Sequence, residues 1–270
     1  QLFPKFAKAW DSIGTVSQHV SELTGLPTTC EIFAGLHDSN ASYLRYLNRT
    51  DSSFTVISTG TWTILLDAQG QLEQLQQYRD TLTNSDIYGR AVACARYMGG
   101  REYEAICQWL GGSTDAPVNE LTIQEVIDQN YWVTPDFSEG NGPFGGMTPR
   151  ASENIPANLA GAVATLYSAL MIDQRLSDLG AIGDIIIEGA FLVNPLLCRL
   201  VAQLRDSQRV YLSKDTTGTV QGAISLMVGC DPHTGVLSRS AELETCEPSC
   251  FDGLSEYKAS WQLCITENDC

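Results

Sequence analysis

The chain has 270 residues, 43% of them hydrophobic and 18% charged, enough for one large or two modest globular domains. Its net charge of −16 repels phosphate backbones and anionic membrane surfaces, which argues against nucleic-acid and membrane partners. An anionic nucleotide stays admissible, because backbone N–H groups and a cation neutralise phosphate locally.

The chain opens on Gln1, where translation does not begin, so an excerpt or a processed piece of something longer is expected. Residues 11–30 read as a turn and then an amphipathic helix that stops at Gly25, with Pro27 just beyond. The apolar run EIFAGL (31–36) predicts a strand, and SNASYLRYL (39–47) a helix that Asp38 or Ser39 is placed to cap. FTVISTGTWTILLD (54–67) sets β-branched residues on both sides of STGT, the pattern of a hairpin with a glycine turn. Residues 68–98 are mixed. MGGREYEAICQWLGG (98–112) reads as a glycine turn feeding a helix closed by Gly111 and Gly112, and 130–150 is loop-rich.

ENIPANLAGAVATLYSALMIDQRLSDLG (153–180) carries the strongest helical pattern, with Leu159, Val163, Leu166 and Leu170 on one face and Gly180 as its end. Its weakly polar stretch (159–172) is too short to span a bilayer and predicts a buried helix. DIIIEGA (184–190) predicts an apolar strand running into a tight turn, and PLLCRLVAQL (195–204) a helix with Pro195 near its start. RVYLSK (209–214) reads as a strand and GTVQGAISLMVG (218–229) as a helix of small residues. This alternation predicts an α/β fold with a mostly parallel sheet.

Nine cysteines in a chain of this size do not read as a disulfide framework. Cys30, Cys94, Cys107, Cys198 and Cys230 sit mostly among apolar neighbours and read as small buried hydrophobes. Cys246, Cys250, Cys264 and Cys270 crowd the tail without a CxxC spacing, so no metal site is assigned. A reducing cytoplasm is expected, where NRT (48–50) is an idle glycosylation match.

Three motifs each admit two readings. His37-Asp38 in AGLHDSN (34–40) is a polar turn or a catalytic base held at a cleft. STGT (58–61) is an ordinary turn or a backbone cradle for phosphate, and IIIEGAFLVN (185–194) a common strand-turn-helix or a nucleotide site. In this order they resemble one family, the FGGY-type carbohydrate kinases, within the actin/hexokinase-like ATPases of ribonuclease H-like fold. GLHDSNA resembles the Gly-x-x-Asp segment that carries the catalytic aspartate, and STGTW the second phosphate hairpin. IIIEGAFLVNPLLCRLVAQL resembles the adenosine motif, GTVQGAISLMVG the helix after it, and GLSEYKASW (253–261) the C-terminal helix.

The resemblance spans residues 10–265 and departs in two places: Gly189-Ala190 stands where two glycines are usual, and Ala202-Gln203 where Ala-Asp is frequent. It implies that 1–52 is the end of an N-terminal sugar-binding domain, most of that lobe being absent. Residues 53–270 are then the C-terminal nucleotide-binding domain. It further implies ATP and Mg²⁺, with transfer of the γ-phosphoryl group to a hydroxyl of a ketose, since GLHDSNA and GGREYE (99–104) most resemble kinases of rhamnulose, fuculose or xylulose. Asp38 would be the general base and bind sugar with His37. Ser58, Thr59, Gly60 and Thr61 would hold phosphate, and Gly189, Ala190 and Asn194 adenine. Gly99, Gly100 and Arg101 are a helix start with a possible phosphate role, and Glu188 and Asp173 are expected to be solvated or capping. A homo-oligomer of the full-length parent is admissible. By itself the chain is expected to expose apolar surface, to associate and to be inactive. The competing reading is a non-catalytic nucleotide-binding or regulatory module of the same fold. An unrelated actin-like ATPase is disfavoured by GLHD preceding STGT.

Overall fold

The computed structural model describes residues 5–47, 53–214, 218–227 and 241–266. The NRT match, Cys230, Cys270 and the end of the 218–229 segment lie outside them. In chain order the first elements are β1 (Ser12–Thr15), α1 (Gln18–Thr24), β2 (Glu31–Phe33), α2 (Asp38–Leu44), β3 (Phe54–Thr59) and β4 (Thr63–Asp67). Then come β5 (Thr81–Ser85), β6 (Ala91–Tyr97), α3 (Gly99–Trp109), α4 (Glu120–Asp128) and α5 (Ala160–Asp178). The last are β7 (Asp184–Gly189), α6 (Pro195–Leu204), β8 (Val210–Ser213), α7 (Gly218–Ser225), β9 (Leu243–Thr245) and α8 (Leu254–Thr266).

These elements gather in two compact units. The smaller comprises Gln1–Thr50, Ser85–Ala91 and Thr217–Ala241, the larger the remainder. In the smaller, β1 pairs antiparallel with β2, so residues expected as a turn are a strand. Ser17 caps α1 by accepting from Val20 N, and Gly25 ends it as the sequence predicts. Packing of Leu44 and Leu226 with Trp10, Leu36, Leu47 and Ile87 forms its small core.

A seven-stranded sheet in the order β5-β6-β4-β3-β7-β8-β9 runs through the larger unit. It is mixed rather than mostly parallel. β3, β7 and β8 are parallel neighbours, while β3–β4, β4–β6 and β8–β9 are antiparallel. The reason is connection length. Three residues join β3 to β4, which only an antiparallel pair allows, whereas α6 supplies the crossover that makes β7 and β8 parallel.

Helix α5 is buried on every side, as its apolar sequence predicts, and packs against α3, α4 and α6. Thr165 and Ser168 return their hydroxyls to Gly161 O and Ala164 O at 2.8 Å each, which satisfies them inside an apolar core. Asp173, expected at the surface, is buried between Arg205 (2.7 Å) and Lys258 (2.7 Å). Burial also takes Glu188, which sits mid-sheet on β7. Of the cysteines, Cys94, Cys107, Cys198 and Cys246 are buried, Cys30 and Cys264 half-buried and Cys250 exposed. Among the described residues no three or more His, Cys, Asp or Glu group as metal ligands, and no helix is long and apolar enough to cross a membrane.

Candidate nucleotide site and candidate base

Parallel pairing puts the carboxyl ends of β3 and β7 side by side, with Ser58 opposite Glu188 and Thr59 opposite Gly189. That end of a parallel pair is where an α/β sheet leaves a crevice. Thr59 is buried and ties the two strands together. Its hydroxyl donates to Glu188 O at 2.6 Å and accepts from Phe191 N at 2.9 Å. The chain can turn there only because residue 189 is glycine. Its φ is 90° and its ψ −147°, and an added Cβ would lie 2.1 Å from Thr59 O. Ala190 then opens a 3₁₀ turn (Ala190–Val193) and is absent from the positive-φ residues, so alanine meets no backbone penalty in place of a second glycine.

The β3–β4 turn closes through Gly60 N, which donates to Trp62 O at 2.9 Å. Ser58 and Thr59 lie in the ladder, and Thr61 stands exposed at the tip. Against this turn sits the first turn of α3. An added Cβ on Gly100 would lie 2.4 Å from Gly60 O, so the approach requires glycine at 100. Gly99 and Gly100 are therefore the helix start itself rather than a turn ahead of it. The partial positive charge of that helix end lies beside the hairpin. Arg101, half-exposed, pairs with Glu139 at 3.3 Å.

Alongside lies a cavity of about 420 Å³ bounded by Gly100 and Tyr103 of α3, residues 114 and 116–118, and the Ala190–Leu197 segment. Ala190 and Asn194, which the resemblance implies as adenine contacts, line this cavity, whereas Gly189 shapes it by turning the chain. Asn194 is fixed twice. It caps α6 by accepting from Leu197 N at 3.3 Å, and its amide donates to Thr165 Oγ1 at 2.9 Å. Sequence reasoning missed Tyr103, Val118 and Phe191 as walls. No local pattern marks them, since the 114–118 loop, α3 and the Ala190–Leu197 segment meet only in the tertiary fold.

On the same helix as Gly100, Glu102 is 2% exposed and accepts from the Tyr167 hydroxyl at 2.6 Å. Burial pushes its carboxyl up to about 7, against the hydrogen bonds that pull it down. Burial likewise lowers the Arg175 guanidinium to about 9.

His37 and Asp38 belong to the smaller unit. His37, extended at φ −65° and ψ 150°, is the N-cap of α2 but makes no side-chain capping bond, and Asp38 is the first helical residue. Neither Asp38 nor Ser39 is thus the cap. One Asp38 oxygen accepts from Ser39 N at 2.7 Å and lies 2.8 Å from His37 Nδ1, which is also 2.9 Å from Ser39 Oγ. Both side chains are open to solvent, at 71% and 73%. The carboxylate is held by its neighbours yet presented outward.

Residues 51–235 match the family described as carbohydrate kinase FGGY, C-terminal domain. The chain belongs to the FGGY carbohydrate kinases. No match was found among curated proteins. Among solved FGGY-like structures, a carbohydrate kinase from Novosphingobium aromaticivorans is similar at 32% identity and TM-score 0.75, over 96% of this chain and 57% of that one. Gluconate kinase from Lactobacillus acidophilus (15% identity, TM-score 0.69, 98% and 56% covered) shares the fold. So does Plasmodium falciparum glycerol kinase with ADP (13% identity, TM-score 0.63, 97% and 55% covered). The chain spans little more than half the length of each.

Proposed function

We propose that this chain is the nucleotide-binding part of an ATP-dependent kinase that transfers the γ-phosphoryl group of ATP to a ketose hydroxyl. The carrying observation is the junction in the larger unit. A hairpin turn is abutted by a helix start at Gly100 and flanked by an apolar cavity behind Gly189. That set offers polarised backbone for phosphate and a slot for a base. Thr61 and the Ser58 hydroxyl would meet phosphate oxygens, with Thr59 and Gly60 shaping the turn. Ala190 and Asn194 would flank adenine. Mg²⁺, bound with the nucleotide, neutralises phosphate charge, an arrangement that needs few protein ligands.

In this reading Asp38 accepts the proton of the attacking hydroxyl and His37 contacts the sugar or orients the loop. The solved relatives bear names of acceptors as different as gluconate and glycerol. The ketose assignment therefore rests on the resemblance of GLHDSNA and GGREYE. A cytoplasmic setting rests on composition, and a homo-oligomer of the parent is proposed on no stronger ground. Taken alone, the 270-residue chain would bind nucleotide without turnover, because it covers 57% of its 32%-identical relative.

A coupled ADP-release assay against a panel of ketoses tests this on the longest protein that carries the chain. Asp38→Asn should lower kcat by about 10²–10⁴-fold and leave nucleotide affinity unchanged. Turnover that survives the substitution would remove Asp38 from the mechanism, and phosphorylation of no ketose would remove the acceptor class.

A further inference from the structure

Among the described residues, the cavity beside Gly100 is lined by one polar amide, one phenol and one rim hydroxyl, and by no charged side chain. The amide is Asn194, whose oxygen is committed to Leu197 N and whose nitrogen donates to Thr165 Oγ1. Thr165 in turn donates to Gly161 O at 2.8 Å, and the Tyr103 hydroxyl is directed to the same carbonyl at 3.5 Å. This polar chain runs from the cavity wall into α5 and is closed there. Thr114 is exposed at the rim, and the remaining lining side chains, Phe191, Val118 and Leu196 among them, are apolar.

Adenine and guanine differ by a swap of amino for oxo at one ring carbon and an added amino group at another. A site rejects the wrong pattern strongly only when its own buried donors and acceptors would be left unpaired by it. Here the Asn194 oxygen, one of its two N–H groups and the Tyr103 hydroxyl already have partners inside the protein, and the Thr114 hydroxyl faces solvent at the rim. We infer that, if this cavity is the nucleotide site proposed above, it takes purine nucleoside triphosphates by shape and apolar contact with little choice between adenine and guanine. Pyrimidines, with less ring surface to bury, are held more weakly.

Calorimetric titration of the 270-residue chain with the magnesium salts of ATP, GTP, ITP and CTP tests this, beside Ala190→Phe and Val118→Trp. The two variants add bulk from two different lining segments, and circular dichroism checks that each is folded. The expected result is Kd values for the three purine nucleotides within about tenfold of one another, and CTP weaker by at least about tenfold. Binding of all four should be lost in whichever variant folds. ATP binding more than about 100-fold tighter than GTP would overturn the inference and leave the nucleotide site standing. Absence of nucleotide binding, or binding untouched in the folded variants, would overturn the site reading itself and this inference with it.

Discussion

In the larger unit every residue of α5 from Ala160 to Asp173 is buried, whereas in the smaller unit α1 buries none and β1 is exposed along its length. Val20, Leu23 and Leu26 stand in solvent around α1, as do Ile13 and Ile32 on the paired strands. The difference separates two ways of holding a functional group. Around the candidate nucleotide site, position is fixed by close backbone approach and buried hydrogen bonds. Around Asp38 it is fixed by neighbours in sequence, through bonds to Ser39 and His37 at an exposed helix start. Perturbations of the first kind should cost folding energy, and perturbations of the second kind should not.

The sharpest break is expected at Gly189. Alanine there would carry a side chain into Thr59 O, 2.1 Å away, on a backbone of φ 90°. Strain of that kind costs about 1–3 kcal/mol, and overpacking adds a similar amount. Gly189→Ala should therefore lose roughly 3–5 kcal/mol in urea unfolding and weaken nucleotide binding with it. A stable variant with normal binding would show that the β3–β7 junction is softer than its geometry.

Glu102 gives the next effect, and its sign depends on pH. Burial raises its carboxyl from 4.5 to about 7, so the folded state holds a proton that the unfolded chain releases. The stability this contributes is present in full below 4.5 and is lost as pH rises through about 7. Glu102→Gln keeps an acceptor for the Tyr167 hydroxyl without the charge. At pH 8 the variant should be more stable than the parent by roughly 3 kcal/mol, and at pH 5 the gap should shrink to about 1 kcal/mol. Parallel pH–stability curves would mean that Glu102 is solvated more than its 2% exposure implies.

How much of this was legible in the sequence follows the same division. The β3–β4 hairpin, the turn at Gly189 and the start of α6 obey local rules, because β-branched runs, a glycine and the Asn194-Pro195 cap act within a few residues. Helix α4 is poorly marked in the sequence although Asn119 and Thr122 form a capping box, since threonine at that position is a weak cue. Burial of Asp173 was illegible: its partners Arg205 and Lys258 come from distant helices, and only packing brings them together. The same holds for the cavity wall at 116–118. The parallel bias expected for the sheet fails because the β3–β4 hairpin is itself antiparallel and because β5 and β6 carry no clean alternation to mark them as strands.

Thr59→Val tests the junction more gently. The shape is kept while Glu188 O loses a donor and Phe191 N an acceptor, both in a buried setting. A cost of about 2 kcal/mol is expected from chemical denaturation, with nucleotide affinity reduced less than in Gly189→Ala.

The smallest effect, and the one that probes the other side of the comparison, is expected at Leu23. Its side chain is 73% exposed on a helix with no buried residue, so Leu23→Ser removes almost no burial. Unfolding should shift by no more than about 0.5 kcal/mol. An apolar face of this kind nevertheless favours contact between molecules. Sedimentation velocity of the 270-residue chain should show concentration-dependent association that Leu23→Ser reduces. A loss of several kcal/mol instead would mean that α1 is packed against something in solution, and the contrast between the units would fail at its thinner end.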